Sequence, residues 1–259
     1  MSRQKLGQHF LADLNWRKRI LQTLGVAPGE TWLEIGAGHG EMTELLARSG
    51  ARVLAIETDA RLANGLREKS AAWGLVEVVG DDVLQVDLRA LIGDGVRLYG
   101  NLPYYITSPI LRHLFAVADR ILSIHIVIQF EVAARIVARP GRRAYGYLSA
   151  LCQFYAKPEI VLRIPPGAFR PPPKVTSALV RMAMPGERTA LGIADEARFL
   201  EFVQTCFGQK RKTLRNNLRG VADGARVEAA FQKCKIAASA RAEELTLAQF
   251  AAMYKAIGL

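Results

Sequence analysis

The chain has 259 residues, half of them hydrophobic and 23% charged, and 35 Lys+Arg against 24 Asp+Glu give a formal net charge of +11. That composition excludes a disordered chain, and the length suffices for one large domain, or a medium and a small one, without disulfide or metal staples. The positive balance points to an anionic partner, nucleic acid first and an anionic membrane surface second.

In chain order, the spacing of Leu14, Ile20, Leu21 and Leu24 predicts an amphipathic helix over 14–24. Strand and helix signals then alternate. TWLEIG, ARVLAIE, LVEVVG, VRLYGNL and ILSIHIVIQF read as strands. EMTELLARSG, closed by Gly50, and DARLANGLREKSAAW, capped by Asp59, read as helices, as do 107–118 and 130–138. Strands separated by helices predict a parallel sheet covered on both faces. Beyond residue 145, YLSALCQFYA reads as a helix. PEIVLRI and VTSALVRM read as two strands joined by IPPGAFRPPPK and paired antiparallel at one edge of the sheet. Pro, Gly and polar residues cluster in PGERTALGIAD, a break that sets a domain boundary near 185–194. After it only helical patterns occur, at 195–207, 211–219, 224–235 and 246–257, the last opened by a Thr246–Gln249 capping box. The expected architecture is α/β, with a mostly parallel Rossmann-like sheet and an antiparallel edge. A small all-α C-terminal domain follows, giving a division into 1–188 and 189–259.

Cys152, Cys206 and Cys234 are odd in number and far apart, so reduced thiols are expected rather than disulfides. His9, His39, His113 and His125 show no metal-ligand spacing, so no metal is expected. The first residues lack an apolar signal core and no apolar stretch is long enough to span a bilayer, which predicts a soluble, cytoplasmic protein with no membrane partner.

The first strand runs into Glu34-Ile35-Gly36-Ala37-Gly38-His39-Gly40 and then a helix. Glycines there permit a tight turn and close approach of a ligand, which assigns Gly36 and Gly38 to a cofactor. Glu57 ends the next strand, 21 positions after Gly36, where an acidic residue takes ribose hydroxyls. No Gly-Lys-Ser/Thr follows. The carboxylates of Glu34 and Glu41 around the turn suit a ligand with a cationic centre and no phosphates, as S-adenosylmethionine has. Asp81 and Asp82 follow the third strand, and the residues alone do not choose which of them accepts from an adenine amine.

Asn101-Leu102-Pro103-Tyr104 closes a further strand. Pro103 keeps Leu102 out of the helical region, so a carbonyl there is left to accept from a ligand. Beside it Asn101 offers a side-chain carbonyl and Tyr104 a flat face. Two acceptors and a stacking ring fit an exocyclic amine on a base, and orienting such an amine for methyl transfer requires no strong general base.

Lys210, Arg211, Lys212, Arg215 and Arg219 place five cations and no acid in ten residues. On a helix, Lys212, Arg215 and Arg219 share one face, with Leu214 and Leu218 anchoring another. That pattern fits phosphate contacts. Arg135, Arg139, Arg142 and Arg143 form a second basic cluster. A target base must be unpaired or flipped out to be reached.

Taken together, GQHFL (7–11), LEIGAGHGEMT (33–43), AIETD (55–59), DVLQVD (82–87), NLPYYITSPI (101–110), FRPPPKVTSALV (169–180) and FGQKRKTLRNNL (207–218) resemble the ribosomal RNA adenine N6-dimethyltransferases over nearly the whole chain. The similarity is strongest to the small-subunit branch associated with kasugamycin sensitivity. It implies that His9, Leu11, Gly36, Glu57, Asp82 and Asn101 line the S-adenosylmethionine site, and it favours Asp82 over Asp81. It also implies that Asn101 and Leu102 hold the target amine between Tyr104 and Phe169. The implied reaction is dimethylation of two adjacent adenines in the 3′-terminal hairpin loop of 16S rRNA. The implied substrate is the pre-30S particle, with a role in small-subunit biogenesis and a monomeric enzyme. His9 replaces the usual Asn and Ala37 the usual Pro. Two other readings remain: a large-subunit enzyme of the macrolide-resistance type, against which Leu102 and 209–218 argue, and a non-catalytic nucleic-acid-binding factor, against which Glu57 and Asn101–Tyr104 argue.

Overall fold

The structure, a computed structural model, describes residues 9–103 and 106–259. Its elements in chain order are β1 (Phe10–Leu11), α1 (Leu14–Leu24), β2 (Thr31–Ile35), α2 (Glu41–Arg48), β3 (Arg52–Ile56), α3 (Ala60–Ser70), β4 (Val76–Val79), α4 (Leu88–Leu91), β5 (Val96–Asn101), α5 (Thr107–Phe115), β6 (Ile121–Gln129), α6 (Phe130–Ile136), α7 (Tyr147–Tyr155), β7 (Lys157–Ile164), β8 (Phe169–Arg170), β9 (Ser177–Ala183), α8 (Arg188–Leu191), α9 (Glu196–Cys206), α10 (Leu214–Asn217), α11 (Gly224–Lys233) and α12 (Leu247–Ile257).

Seven strands form one sheet in the order β4-β3-β2-β5-β6-β9-β7. β2, β3, β4, β5 and β6 pair in parallel, and β9 is antiparallel to β6. This is the expected α/β sheet with an antiparallel edge. β2 and β3 are buried from their second residue on, as strands covered on both faces must be. One face packs Trp32, Val53, Ala55 and Tyr99 against Ile20 and Leu24 of α1 and Leu46 and Ala47 of α2. The chain builds outward from β2 to β4, then returns to start β5 on the other side of β2. That reversal opens a crevice at the carboxyl ends of β2 and β5.

Local chemistry sets the ends of several elements where the sequence places them. Asp13 caps α1 by accepting from the Asn15 and Trp16 N–H groups, and Gly25 ends it at φ 61°. Asp59 caps α3, and Thr246 with Gln249 closes a capping box on α12. The pair β1 and β8 is a two-stranded ribbon outside the main sheet, with Phe10 opposite Arg170 and Leu11 opposite Phe169. Strands of two residues carry no periodicity, so the sequence does not announce them.

Two compact units result. One holds the described residues up to Ala133 with Pro158–Met184; the other holds Ala134–Lys157 with Pro185–Leu259. The segment 134–157, assigned from sequence to the catalytic domain, therefore packs with the C-terminal helices. Phe154 of α7 lies 5.4 Å from Phe199 of α9, ring to ring, and Tyr145 lies 5.8 Å from Phe207. The helix expected over 211–219 is a single turn, α10. Thr213 caps it, Lys212 sits in a turn closed onto Gln209, and the Leu214 N–H donates to the Ala240 carbonyl instead of continuing a helix. Leu214 and Leu218 are nonetheless fully buried anchors.

His125 on β6 is 2% exposed, and burial, with Arg181 and Arg97 adding to it, pushes its pKa down to about 4 against an opposing backbone hydrogen bond at Leu98. The unfolded chain binds this proton near pH 6.5 and the native state only near pH 4. Between those values the unfolded state holds more protons, so stability rises with pH. Full protonation should cost about 3 kcal/mol. In urea melts at pH 7 and pH 4.5, His125→Phe is expected to lose less stability on acidification than the parent. An equal loss in both would remove His125 from the acid response.

Candidate functional site

The crevice at the carboxyl ends of the strands is a cleft of about 770 Å³, its open mouth included. Its walls carry His9, Gly36, Gly38, Glu57, Asp82, Asn101 and Leu102, which are distant in sequence and converge here. Leu11 lies outside this cleft and borders a smaller chamber beside it. Phe10, Ile56, Thr58, Val83, Pro103, Ile106 and Ile110 complete much of the wall. All of these but Thr58 are apolar, and nothing in their type distinguishes a cleft wall from core, so the sequence does not single them out.

Glu57 organises the glycine turn. The residue is 2% exposed. Oε2 accepts the Gly38 N–H at 2.8 Å and Oε1 the Asp59 N–H at 2.9 Å. Each oxygen keeps a second lone pair for a ligand hydroxyl. Gly38 stands at φ +60°, and a Cβ there would meet the Phe10 ring at 3.1 Å, so the turn needs glycine on two counts. Asp81 and Asp82 both line the cleft; Asp82 is the less exposed. Oδ1 of Asp82 accepts the Leu84 N–H at 3.0 Å.

Asn101 ends β5 beside the turn. Its Nδ2 donates to the His9 carbonyl at 2.9 Å, so what the side chain can offer a substrate is Oδ1. The Leu102 N–H donates to Val127, while among the described residues no backbone N–H donates to the Leu102 carbonyl. His9 Nδ1 donates to the Pro171 carbonyl at 2.7 Å, so both its ring and its backbone tie the N-terminal segment across the site. Tyr104 lies outside the described residues. Phe169 is fully buried in the core cluster and presents no surface to the cleft.

Glu34 departs from its expected part as a charge beside the turn. It is 2% exposed and its Oε2 accepts the Thr43 hydroxyl at 2.6 Å. Burial first, then Glu41 and Glu57, push its pKa up to about 8, so it is mostly neutral at pH 7.

Residues 1–258 match the family described as ribosomal RNA adenine dimethylase. The chain belongs to that family. Among related proteins, "Ribosomal RNA small subunit methyltransferase A" of Acidobacterium capsulatum is 46% identical over 256 residues, covering 98% of this chain and 90% of that protein. The protein of the same name from Xanthomonas campestris pv. campestris strain B100 is 42% identical over 250 residues, covering 96% and 94%. Among solved structures, a dimethyladenosine transferase from Plasmodium falciparum superposes with a TM-score of 0.79 at 22% identity, covering 97% of this chain and 99% of that one. The 23S rRNA methyltransferase ErmE superposes at 0.70 with 27% identity, covering 96% and 100%. The resemblance read from the motifs is thus borne out at the level of family and fold.

In this ribosomal RNA adenine dimethylase, Lys210, Arg211, Lys212, Arg215 and Arg219 are all exposed. Lys212, Arg215 and Arg219 do not share a helical face as expected, because only Arg215 lies on α10. Arg215 is also compensated in space, by Glu228 at 2.6 Å, although no acid is near it in sequence. Lys210 Nζ donates to the Arg143 carbonyl at 3.0 Å, and the Gly141 N–H to the Glu243 carbonyl at 2.7 Å. These bonds set Arg142 and Arg143, both exposed, beside the 210–212 turn. Burial pushes the Cys152 and Cys206 thiols up, so both stay protonated. Among the described residues no His/Cys/Asp/Glu group is arranged to hold a metal, and no helix is long and apolar enough to cross a membrane.

Proposed function

We propose that this chain uses S-adenosylmethionine to dimethylate N6 of two adjacent adenines in the 3′-terminal hairpin loop of 16S rRNA. It acts as a monomer in the cytoplasm on the pre-30S particle, as a step of small-subunit biogenesis. The convergence of Glu57, Asp82, Asn101 and the Leu102 carbonyl on one cleft carries this reading. The small-subunit name of the 42–46% identical relatives supports its substrate.

The residues present fit the cofactor. Glu57 and the Gly36–Gly38 turn would hold its ribose, Asp82 its adenine amine, and His9 and Leu11 would border its other end. When bound, the cofactor supplies an electrophilic methyl group on a sulfonium. Asn101 Oδ1 and the Leu102 carbonyl accept the two N–H groups of the target N6, which holds the nitrogen lone pair out of conjugation with the ring. Tyr104 stacks on the base. No general base is needed, because the amine becomes acidic only after alkylation; orientation and fixed dipoles supply the acceleration. The exposed Lys210, Arg211, Lys212, Arg215 and Arg219 hold phosphates of the RNA.

Nucleoside mass spectrometry tests the proposal. Undermethylated 30S subunits, naked 16S rRNA and 23S rRNA are each incubated with the protein and S-adenosylmethionine. N6,N6-dimethyladenosine is expected with 30S material only. The full-length likeness to ErmE favours a second reading, methylation of 23S rRNA, and product from naked 23S rRNA would establish it. RNA binding without product from any substrate would leave a non-catalytic binding factor.

A further inference from the structure

Beside the cleft, under the glycine turn, lies the smaller chamber, which shares Phe10, Gly36, Gly38 and Asn101 with it. Its remaining walls include Glu34, Glu41 and Tyr99. It encloses about 30 Å³, room for one small polar group or water.

Tyr99 is the unusual wall. It sits in mid-strand on β5, 1% exposed, among apolar neighbours of the core cluster. Its hydroxyl has no hydrogen-bond partner among the described residues. Buried hydroxyls are ordinarily paired, so an orphan on a residue that lines a cavity points to a partner from outside the chain. The strand register sets Tyr99 directly opposite Glu34 on β2, with both side chains on the same face of the sheet. Thr43 occupies one Glu34 oxygen and leaves the other. The chamber is thus walled by two carboxyl groups and a phenol, with no cation in its lining. The Glu41 carboxylate and the acceptor oxygens of Tyr99 and Glu34 select an ammonium over a carboxylate, and a cation seated beside Glu34 draws that carboxyl into its charged form.

We propose that Tyr99 is a positioning residue whose hydroxyl, with Glu34, holds the ammonium of an amino-acid-bearing nucleoside seated in the cleft. The proposal rests on the S-adenosylmethionine reading above and adds to it which side chain fixes the amino-acid end. The phenol oxygen accepts one ammonium N–H and the open Glu34 oxygen another, while Glu57 holds the ribose at the other side of the turn.

Calorimetric titration of the parent and Tyr99→Phe with three ligands tests this. S-adenosylhomocysteine carries the full amino-acid end, its deaminated analogue lacks only the ammonium, and 5′-methylthioadenosine lacks the amino-acid end altogether. Tyr99→Phe is expected to weaken S-adenosylhomocysteine about tenfold and to leave the other two within about twofold. Thermal melting accompanies each titration, and because the substitution removes an orphaned hydroxyl from a packed ring, the melting temperature should hold or rise. Unchanged affinity for S-adenosylhomocysteine overturns the role of Tyr99, as does equal weakening of all three ligands. A parent that binds none of the three overturns the cofactor reading itself, and this inference with it.

Discussion

Replacing Asn101 by alanine is expected to lower the rate of methyl transfer about 10²–10³-fold, the usual cost of losing one fixed polar group at the reacting centre. RNA affinity should stay within about twofold, since phosphate contacts supply most of it. The substitution removes Oδ1 from the amine and also releases the His9 carbonyl from its 2.9 Å bond. Asn101→Asp separates the two effects: it keeps an acceptor for the amine but sets a carboxylate against the His9 carbonyl. Single-turnover rates and filter binding on the same preparations make the comparison. Transfer that survives Asn101→Ala unchanged would remove Asn101 from the chemistry. The converse variant reverses charge at Lys212 and Arg219, which flank α10 and, unlike Arg215, have no carboxylate partner among the described residues. It should weaken RNA binding and reduce the slope of log K against log salt by about two, with cofactor affinity intact.

Replacing Glu57 by alanine is expected to weaken S-adenosylhomocysteine by about 10²-fold or more, because two charge-assisted hydrogen bonds at about 1.5–3 kcal/mol each are lost. Those to the Gly38 and Asp59 N–H groups, at 2.8 and 2.9 Å, go as well, so the turn itself loosens. Glutamine is no remedy: its amide N–H₂ would face one of these backbone N–H groups, donor against donor. Because the ribose is common to S-adenosylhomocysteine and 5′-methylthioadenosine, Glu57→Ala should weaken both alike in calorimetric titrations. Loss confined to S-adenosylhomocysteine would place Glu57 at the amino-acid end instead.

The alternation of strand and helix was legible in the sequence because the inner parallel strands β2, β3, β5 and β6 are largely buried on both faces and read as apolar runs. The cleft was legible too, since Gly36, Gly38, Glu57 and Asn101 each stand at the carboxyl end of a strand or just after it. What stayed hidden depends on contacts in space. The pairing of Arg215 with Glu228 joins two elements that sequence distance separates. The spacing of Leu214 and Leu218 suits a helix, yet Thr213 caps it, the Ala240 carbonyl takes the Leu214 N–H so that no helix precedes Leu214, and α10 spans a single turn to Asn217. Glu34 counts as a charge in composition, whereas its burial makes it neutral. The docking of α7 onto α9 through Phe154 and Phe199 uses ordinary apolar residues that carry no address.

The β1–β8 ribbon also fixes when the site can exist. Hydrogen bonds stitch the start of the described chain to points far along it, among them His9 to Pro171, Asn101 to His9, and Ala12 and Asp13 to Ala168. A chain made from its N-terminus can close β2 through β6 as each strand emerges, and Asn101 can then reach His9, but β1 finds its strand partner β8 only once residues 168–171 have been synthesised. The wall they form is therefore among the last pieces to settle, by the same loop-closure logic that makes non-local pairing slow. A nascent chain would carry the glycine turn and Glu57 without the clasp that closes over them, and the cleft is complete only when the two strands of the ribbon meet.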